Sequence, residues 1–161
     1  MSVTIVLDEP EQALCLRVAM ARINNAKENN YQHKYDSSKL SMEEVLAHNY
    51  HAACAEYAAA KWLKVPDFVP TLDSYKDEPD IAPDYEVKHS VLDNGHLIIQ
   101  ENDRDSDRAI LVTGTNPYVI RGWLPVKFCK DSLYLKTTNR NTAYWVPQSE
   151  LVKVNDTVPK A

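Results

Sequence analysis

Glycine is scarce in this chain: Gly95, Gly114 and Gly122 are its only three, and they lie far apart. A Walker-type P-loop and a dinucleotide-binding fingerprint both need clustered glycines to let backbone close on phosphate. Nucleotide-driven motors and dinucleotide oxidoreductases are therefore excluded. Cysteine is equally sparse. Cys15, Cys54 and Cys129 are widely spaced, odd in number and form no C-x-x-C pair, so neither a disulfide framework nor a zinc site follows. Neither a G-x-S-x-G nor an H-E-x-x-H motif is present. No apolar run approaches the roughly 20 residues that span a bilayer, and the start, Met1 to Asp8, lacks the basic head and long apolar core of a signal peptide. A cytoplasmic protein with reduced thiols and no membrane contact is expected, and the sequon at Asn155 then has no role.

What remains is the composition of one ordinary soluble domain, 161 residues with 44% hydrophobic and 25% charged side chains, enough for a single core. The net charge of −5 argues against a protein that simply coats DNA. Its distribution is uneven. Asp67, Asp73, Asp77, Glu78, Asp80, Asp84 and Glu86 crowd the middle, against Lys76 and Lys88. Arg108, Arg121, Lys127, Lys130, Lys136, Arg140 and Lys153 dominate the last third, against Asp131 and Glu150. A metal centre beside a phosphate-gripping surface would show this asymmetry, as would surface charge that is merely unevenly spread.

Hydrophobic periodicity predicts a short strand over Val3–Leu7 and a helix from Glu9 to about Asn25, with its stripe at Ala13, Leu16, Ala19, Met20 and Ile23. Asn24–Ser38 reads as a polar loop. Ser41-Met42-Glu43-Glu44 is a capping box opening a second helix that runs to about Lys64, before Pro66. The proline-rich stretch from Val65 to Pro83 is an irregular connection. Beyond it the pattern is β: Tyr85–Val91 and His96–Glu101 about an Asp-Asn-Gly hairpin signal, then Ala109–Thr113, Tyr118–Leu124, Leu133–Thr137 and Tyr144–Val146. Gln148–Val152 closes the chain as a short helix or strand before a frayed tail. Helices first and strands later predict an α+β domain.

The chemistry concentrates at Asp80 to Lys88. Side chains alternate along a strand, so Glu86 and Lys88 share a face, roughly 7 Å apart at Cα. Paired carboxylates hold a hard divalent cation through oxygen, and a neighbouring lysine orients or deprotonates water and neutralises phosphate charge. An exposed strand with solvated charges would carry the same residues. Glu56 lies on the small, apolar face of the second helix with Ala53 and Ala60, where a carboxylate is costly unless paired or metal-bound. The competing placement is the edge of the stripe, reaching solvent or Lys61. His48 and His51 find no third metal ligand at helical spacing, and His89 points away from Glu86 and Lys88. Asp103 to Asp107 mimics the start of a calcium loop but lacks its glycine and glutamate, and reads as a solvated loop. Trp62, Trp123 and Trp145 read as core aromatics.

Glu56 within Ala55-Glu56-Tyr57-Ala58, then Asp80, then Glu86-Val87-Lys88 resembles the PD-(D/E)XK nuclease superfamily, and in particular uncharacterised phage-encoded members. The likeness spans about Ser41 to Val154. Its later segments are Ala109–Gly114, Gly122-Trp123 and Trp145–Leu151. By this resemblance a restriction-endonuclease-like mixed sheet with packed helices is expected over residues 41–154. Residues 1–40 form an extension of unknown role and 155–161 a flexible tail. Asp80, Glu86 and Glu56 match the metal shell, for Mg²⁺ or Mn²⁺, and Lys88, Glu86 and Asp80 the catalytic set. Asp80 lies six residues before Glu86, about 20 Å in a straight strand, so the chain must bend near Ala82-Pro83. Asp84 is the substitute that needs no bend. The resemblance implies a metal-dependent deoxyribonuclease of phage origin acting on DNA in the host cytoplasm. The alternative is an inactive nuclease fold serving as a phage accessory factor, with a host or phage protein partner or a homodimer built on the N-terminal helix.

Overall fold

The computed structural model describes residues 2–28, 40–72, 77–139 and 141–154. Its elements run β1 (Val3–Ile5), α1 (Glu9–Glu28), α2 (Met42–Trp62), β2 (Tyr85–Ser90), β3 (Leu97–Ile99), β4 (Arg108–Gly114), β5 (Tyr118–Pro125), α3 (Val126–Cys129), β6 (Leu135–Thr137) and β7 (Thr142–Val146). One sheet has the order β1-β5-β4-β2 and a second the order β3-β7-β6. The main sheet is mixed: β2 pairs with β4 in parallel, while β5 is antiparallel to both β4 and β1. The result is a single α+β domain.

Both long helices begin on reciprocal caps. Asp8 and Glu11 exchange side-chain-to-backbone hydrogen bonds at 2.9 Å ahead of α1. Ser41 and Glu44 do so at 3.1 and 3.3 Å ahead of α2, as its capping box predicts. α2 ends at Trp62, and the chain leaves through Lys64 in the left-handed region, φ 60°. Ala53, Cys54, Ala55, Ala58, Ala59 and Ala60 are all buried, because α2 is the middle layer, covered by α1 on one side and by the main sheet on the other. A helix apolar around most of its circumference is one with neighbours on most sides. Its alanines let both neighbours approach.

Two cores result. Ile110, Val112, Tyr118 and Ile120 pack against α2 and α1 on one face of the main sheet. Ala109 and Leu111 pack on the opposite face against Leu97, Ile99, Val126 and Val146.

Several sequence expectations change. The Asp93-Asn94-Gly95 turn forms, with Gly95 N–H donating to the Leu92 carbonyl at 3.0 Å, but it does not close a hairpin. β2 instead takes β4 as its partner, and β3 crosses to the second sheet to pair with β7. The main sheet is not built from Tyr85 onward alone, since β1 supplies its far edge. Residues 3–28 are thus woven into the same sheet and helix layer as the rest. α1 extends to Glu28, and its buried face is Cys15, Val18, Ala19, Arg22, Ile23 and Ala26, whereas Leu16 and Met20 are exposed. The stripe is rotated because Arg22 occupies a position on it. Trp62 is buried, whereas Trp145 is half-buried with the Lys136 ammonium 4.3 Å from its ring centre. The segment 29–39 and the predicted tail 155–161 lie outside the described residues.

Gly122 lies where β5 meets the last described segment. A Cβ there would stand 2.7 Å from Leu151 Cβ and 2.9 Å from the Val152 carbonyl oxygen, which accepts the Trp123 N–H while the Val152 N–H donates to the Trp123 carbonyl. Gly122→Ala is expected to destabilise the fold by about 1–3 kcal/mol through overpacking, measured as a lowered urea midpoint at unchanged slope.

Candidate active site at the open edge of β2

Glu56 is buried, with 4% of its surface exposed. Desolvation of a carboxylate at such a position demands a cation, and α1 supplies it. Arg22 grips Glu56 with two nitrogens, at 2.9 and 3.1 Å, and donates through Nε to the Thr71 carbonyl at 2.8 Å. Burial raises the Glu56 pKa despite the opposing pull of Arg22. Lys61, the partner weighed from sequence, instead pairs with Glu11 at 3.0 Å.

The bend required at Ala82-Pro83 is present. Ile81 and Tyr85 exchange backbone hydrogen bonds at 2.9 and 3.0 Å across the turn 82–84, so the chain doubles back and lays Asp80 beside β2. There Asp80 Oδ2 accepts the Val87 N–H at 2.8 Å. β2 is the last strand of its sheet, and the Asp80 carboxylate takes up an outward-pointing N–H that would otherwise have been left to water. Asp80 also shares a hydrogen bond with Glu56. Burial first, then the negative charge of Glu56, push the Asp80 pKa up to about 8, against the Val87 N–H and Lys88. The protonated form of Asp80 is therefore favoured up to mildly alkaline pH.

Glu86 and Lys88 project from β2 on the same face as Ala109 and Leu111, their register partners, opposite the face on which α2 packs. Asp80 at the strand edge therefore links Glu56 on one side of the sheet to Glu86 and Lys88 on the other. Lys88 Nζ lies 3.4 Å from Glu86 and 3.0 Å from Asp103. Burial disfavours the ammonium, but Glu86 and Asp103, with help from Asp80, outweigh it and hold the Lys88 pKa above its ordinary value. Lys88 is thus a fixed ammonium, poorly suited to remove a proton from water.

Asp84, the substitute, is gripped by Arg108 at 2.7 Å, and Arg108 in turn lies over the Tyr85 ring at 4.2 Å. The strand-start charges go to anchoring β2 on β4 rather than to Lys88. The 103–107 segment, expected to be a solvated loop, carries two engaged acids. Asp103 holds Lys88, and Asp107 is buried and held by Arg104 at 3.1 Å. His89 packs as expected, its Nε2 2.8 Å from the Gly114 carbonyl, and His51 pairs with the Tyr118 hydroxyl at 2.9 Å. Part of the basic third is spent internally: Arg121 on Asp93, and Lys130 on Asp105. Arg22 and Asp103 were not foreseen. A buried glutamate on a helix flanked by another helix calls for a cation on that neighbour, and this signal points to α1. Asp103 leaves no comparable trace, because its pairing depends on how β3 and β4 are connected in space.

The donor set suits Mg²⁺ or Mn²⁺. All candidate ligands are hard carboxylate oxygens, and the raised pKa of Asp80 beside Glu56 marks a place where added positive charge is favoured. Among the described residues no three His, Cys, Asp or Glu side chains already form a cage. Mg²⁺ ordinarily takes one or two protein carboxylates and completes its shell with water and substrate phosphate. Asp80 and Glu86 are the pair that fits, with Glu56 behind Asp80.

The Asp80 pKa is raised on folding, so its stabilising contribution is full below about 3.8, the ordinary value, and is lost as pH rises toward about 8. Metal-free protein should melt at progressively lower temperature from mildly acidic to mildly alkaline pH, and Asp80→Asn should flatten that dependence. Arg22→Ala should cost about 3–5 kcal/mol by stranding the Glu56 charge, whereas Arg22→Met with Glu56→Leu should restore most of it; urea unfolding of the three variants checks this.

No protein-family model, no curated protein and no solved structure matches this chain, so the site stands on its geometry alone.

Proposed function

We propose that this chain is a Mg²⁺- or Mn²⁺-dependent phosphodiester hydrolase acting on DNA, with a restriction-endonuclease-like arrangement of α2 against β2 and β4. The observation that carries this reading is that the turn at 82–84 returns Asp80 to the backbone between Glu86 and Lys88, with Glu56 hydrogen-bonded behind it. Asp80 thereby stands at an open strand edge between Glu56 on one side of the sheet and Glu86 and Lys88 on the other. A divalent cation held by Asp80 and Glu86 would supply Lewis-acid stabilisation of charge developing on a phosphate oxygen. The chain's own groups do the rest. Lys88, fixed as an ammonium, binds a phosphate oxygen and neutralises charge as the phosphorus is attacked. Glu86, released from Lys88 by the phosphate, orients water. Arg22 holds Glu56 in place, so that Asp80 gives up its proton when positive charge arrives. By the same resemblance, a phage origin and action in the host cytoplasm belong to this proposal. Among the described residues no helix is long and apolar enough to cross a membrane.

A second reading, a protein-binding accessory factor, draws on one observation: Phe128, Leu133 and Leu135 are exposed at 59%, 80% and 49% within one short stretch. Removing residues 1–40 would not test it cleanly, since that deletion takes away β1 and Arg22. Phe128→Ser with Leu133→Ser leaves both cores untouched and is the better probe in a capture experiment.

Purified protein incubated with single- and double-stranded DNA should cleave in Mg²⁺ or Mn²⁺ and not in EDTA. Lys88→Ala and Glu86→Ala should each lose about 10²–10³-fold in rate. Wild type that cleaves neither substrate, indistinguishable from Lys88→Ala, would reject the enzyme. Independently, divalent cation should raise the melting temperature, by the equivalent of about 2.7 kcal/mol at a hundredfold excess over the dissociation constant. Glu86→Ala should remove most of that rise, and proton release on binding should accompany it near neutral pH.

A further inference from the structure

Lys88 is held by two acids, and only Glu86 belongs to the strand motif. Asp103, in the turn between β3 and β4, approaches with both oxygens, Oδ2 at 3.0 Å and Oδ1 at 3.1 Å from Nζ, closer than Glu86 at 3.4 Å. Its side chain is largely buried, 11% exposed. Its orientation is fixed from two directions. Oδ2 also accepts the Gln100 N–H at 2.7 Å. Lys130, just past α3, donates to the carbonyls of Glu101 and Asp103 at 2.8 and 2.7 Å and pairs with Asp105 at 2.6 Å. One lysine therefore ties the whole turn to the body of the domain, and the turn presents Asp103 to the other lysine.

We propose that Asp103 is the positioning residue that aims the Lys88 ammonium, and that Lys130 holds the turn from which it does so. The inference rests on Lys88 being the catalytic lysine of the proposed hydrolase. A lysine head on a four-carbon stem is mobile and loses rotamer freedom when it is held in one place. Glu86 cannot restrain it throughout, because the same carboxylate is needed for the cation. Asp103 lies outside the Asp80–Glu86 pair and remains free to hold Nζ when substrate and cation are bound. A displacement of about 1 Å at a reacting group costs about a hundredfold in rate, which is the scale on which loss of Asp103 should register.

The test uses the full chain with Asp103→Asn, Asp103→Glu and Lys130→Gln, in two readouts. In metal-free protein, nitrogen-15 NMR at neutral pH and low temperature should show a slowly exchanging Lys88 Nζ ammonium signal, assigned by its loss in Lys88→Arg. That signal should vanish in Asp103→Asn and persist in Asp103→Glu. With DNA and Mg²⁺, Asp103→Asn should lower kcat by about a hundredfold while KM stays within about threefold, and Asp103→Glu should recover at least about tenfold of the loss. Lys130→Gln should lower kcat by about tenfold through the turn, and it serves as the test if Asp103→Asn does not fold. An unchanged ammonium signal and wild-type kcat in folded Asp103→Asn, or in Lys130→Gln if it stands in, would overturn the proposal. If wild type cleaves nothing, the hydrolase reading fails by itself, and the ammonium signal alone decides whether Asp103 positions Lys88.

Discussion

A carboxylate in the middle of an alanine-rich helix sets the terms for the rest of this structure. Glu56 lies inside the layer where α2 meets both α1 and the main sheet, and an unpaired charge there would cost more than the fold could bear. Arg22 answers it, which gives α1 an electrostatic reason as well as a hydrophobic one to pack where it does. Burial of Asp80 itself, and then the neighbouring Glu56, make this next acid hard to ionise. Asp80 keeps its proton into the neutral range. A single buried side chain thus ties the N-terminal helix to α2 and, second to burial, helps raise the pKa of a residue on the far side of a proline-rich connection.

The second constraint is the open edge of β2. An edge strand exposes unpaired N–H and C=O groups, which proteins blunt or cover. Here the chain turns at 82–84 and covers part of that edge with its own preceding residues, Ile81 by a backbone bridge and Asp80 by its side chain. The same turn that protects the edge brings an acid from the connection alongside the two charged residues of the strand. Protection of a sheet and assembly of a site are one structural event.

Charge on the other side of β2 is arranged with similar economy. Asp84 of the acidic middle pairs with Arg108 of the basic last third, while Asp105 pairs with Lys130 and Asp103 with Lys88. These pairs join β2, β4 and the turn between β3 and β4, so these charges stitch the domain together internally. Lys88 has two acid partners, Glu86 and Asp103, and these carboxylates hold it as an ammonium rather than a base.

Local signals carried the elements well. The Ser41 capping box, the α2 helix, the β4–β5 pair and the alternation that puts Glu86 and Lys88 on one face all depend on residues near one another in the chain, and a sequence expresses such relations directly. So did the cost of Glu56, because burial of an acid among alanines is a one-residue statement. Pairing across the fold was not legible. The Asp93-Asn94-Gly95 turn is compatible with a hairpin, yet β2 found a better partner in β4, whose two faces could both be buried, and β3 went to another sheet. Which cation met Glu56, whether Asp80 or Asp84 stood beside Glu86, and that Asp103 would hold Lys88 were decided only when strands and helices closed on one another. Long-range electrostatic partners are set by three-dimensional proximity and desolvation, and neither has a spacing that a linear chain displays.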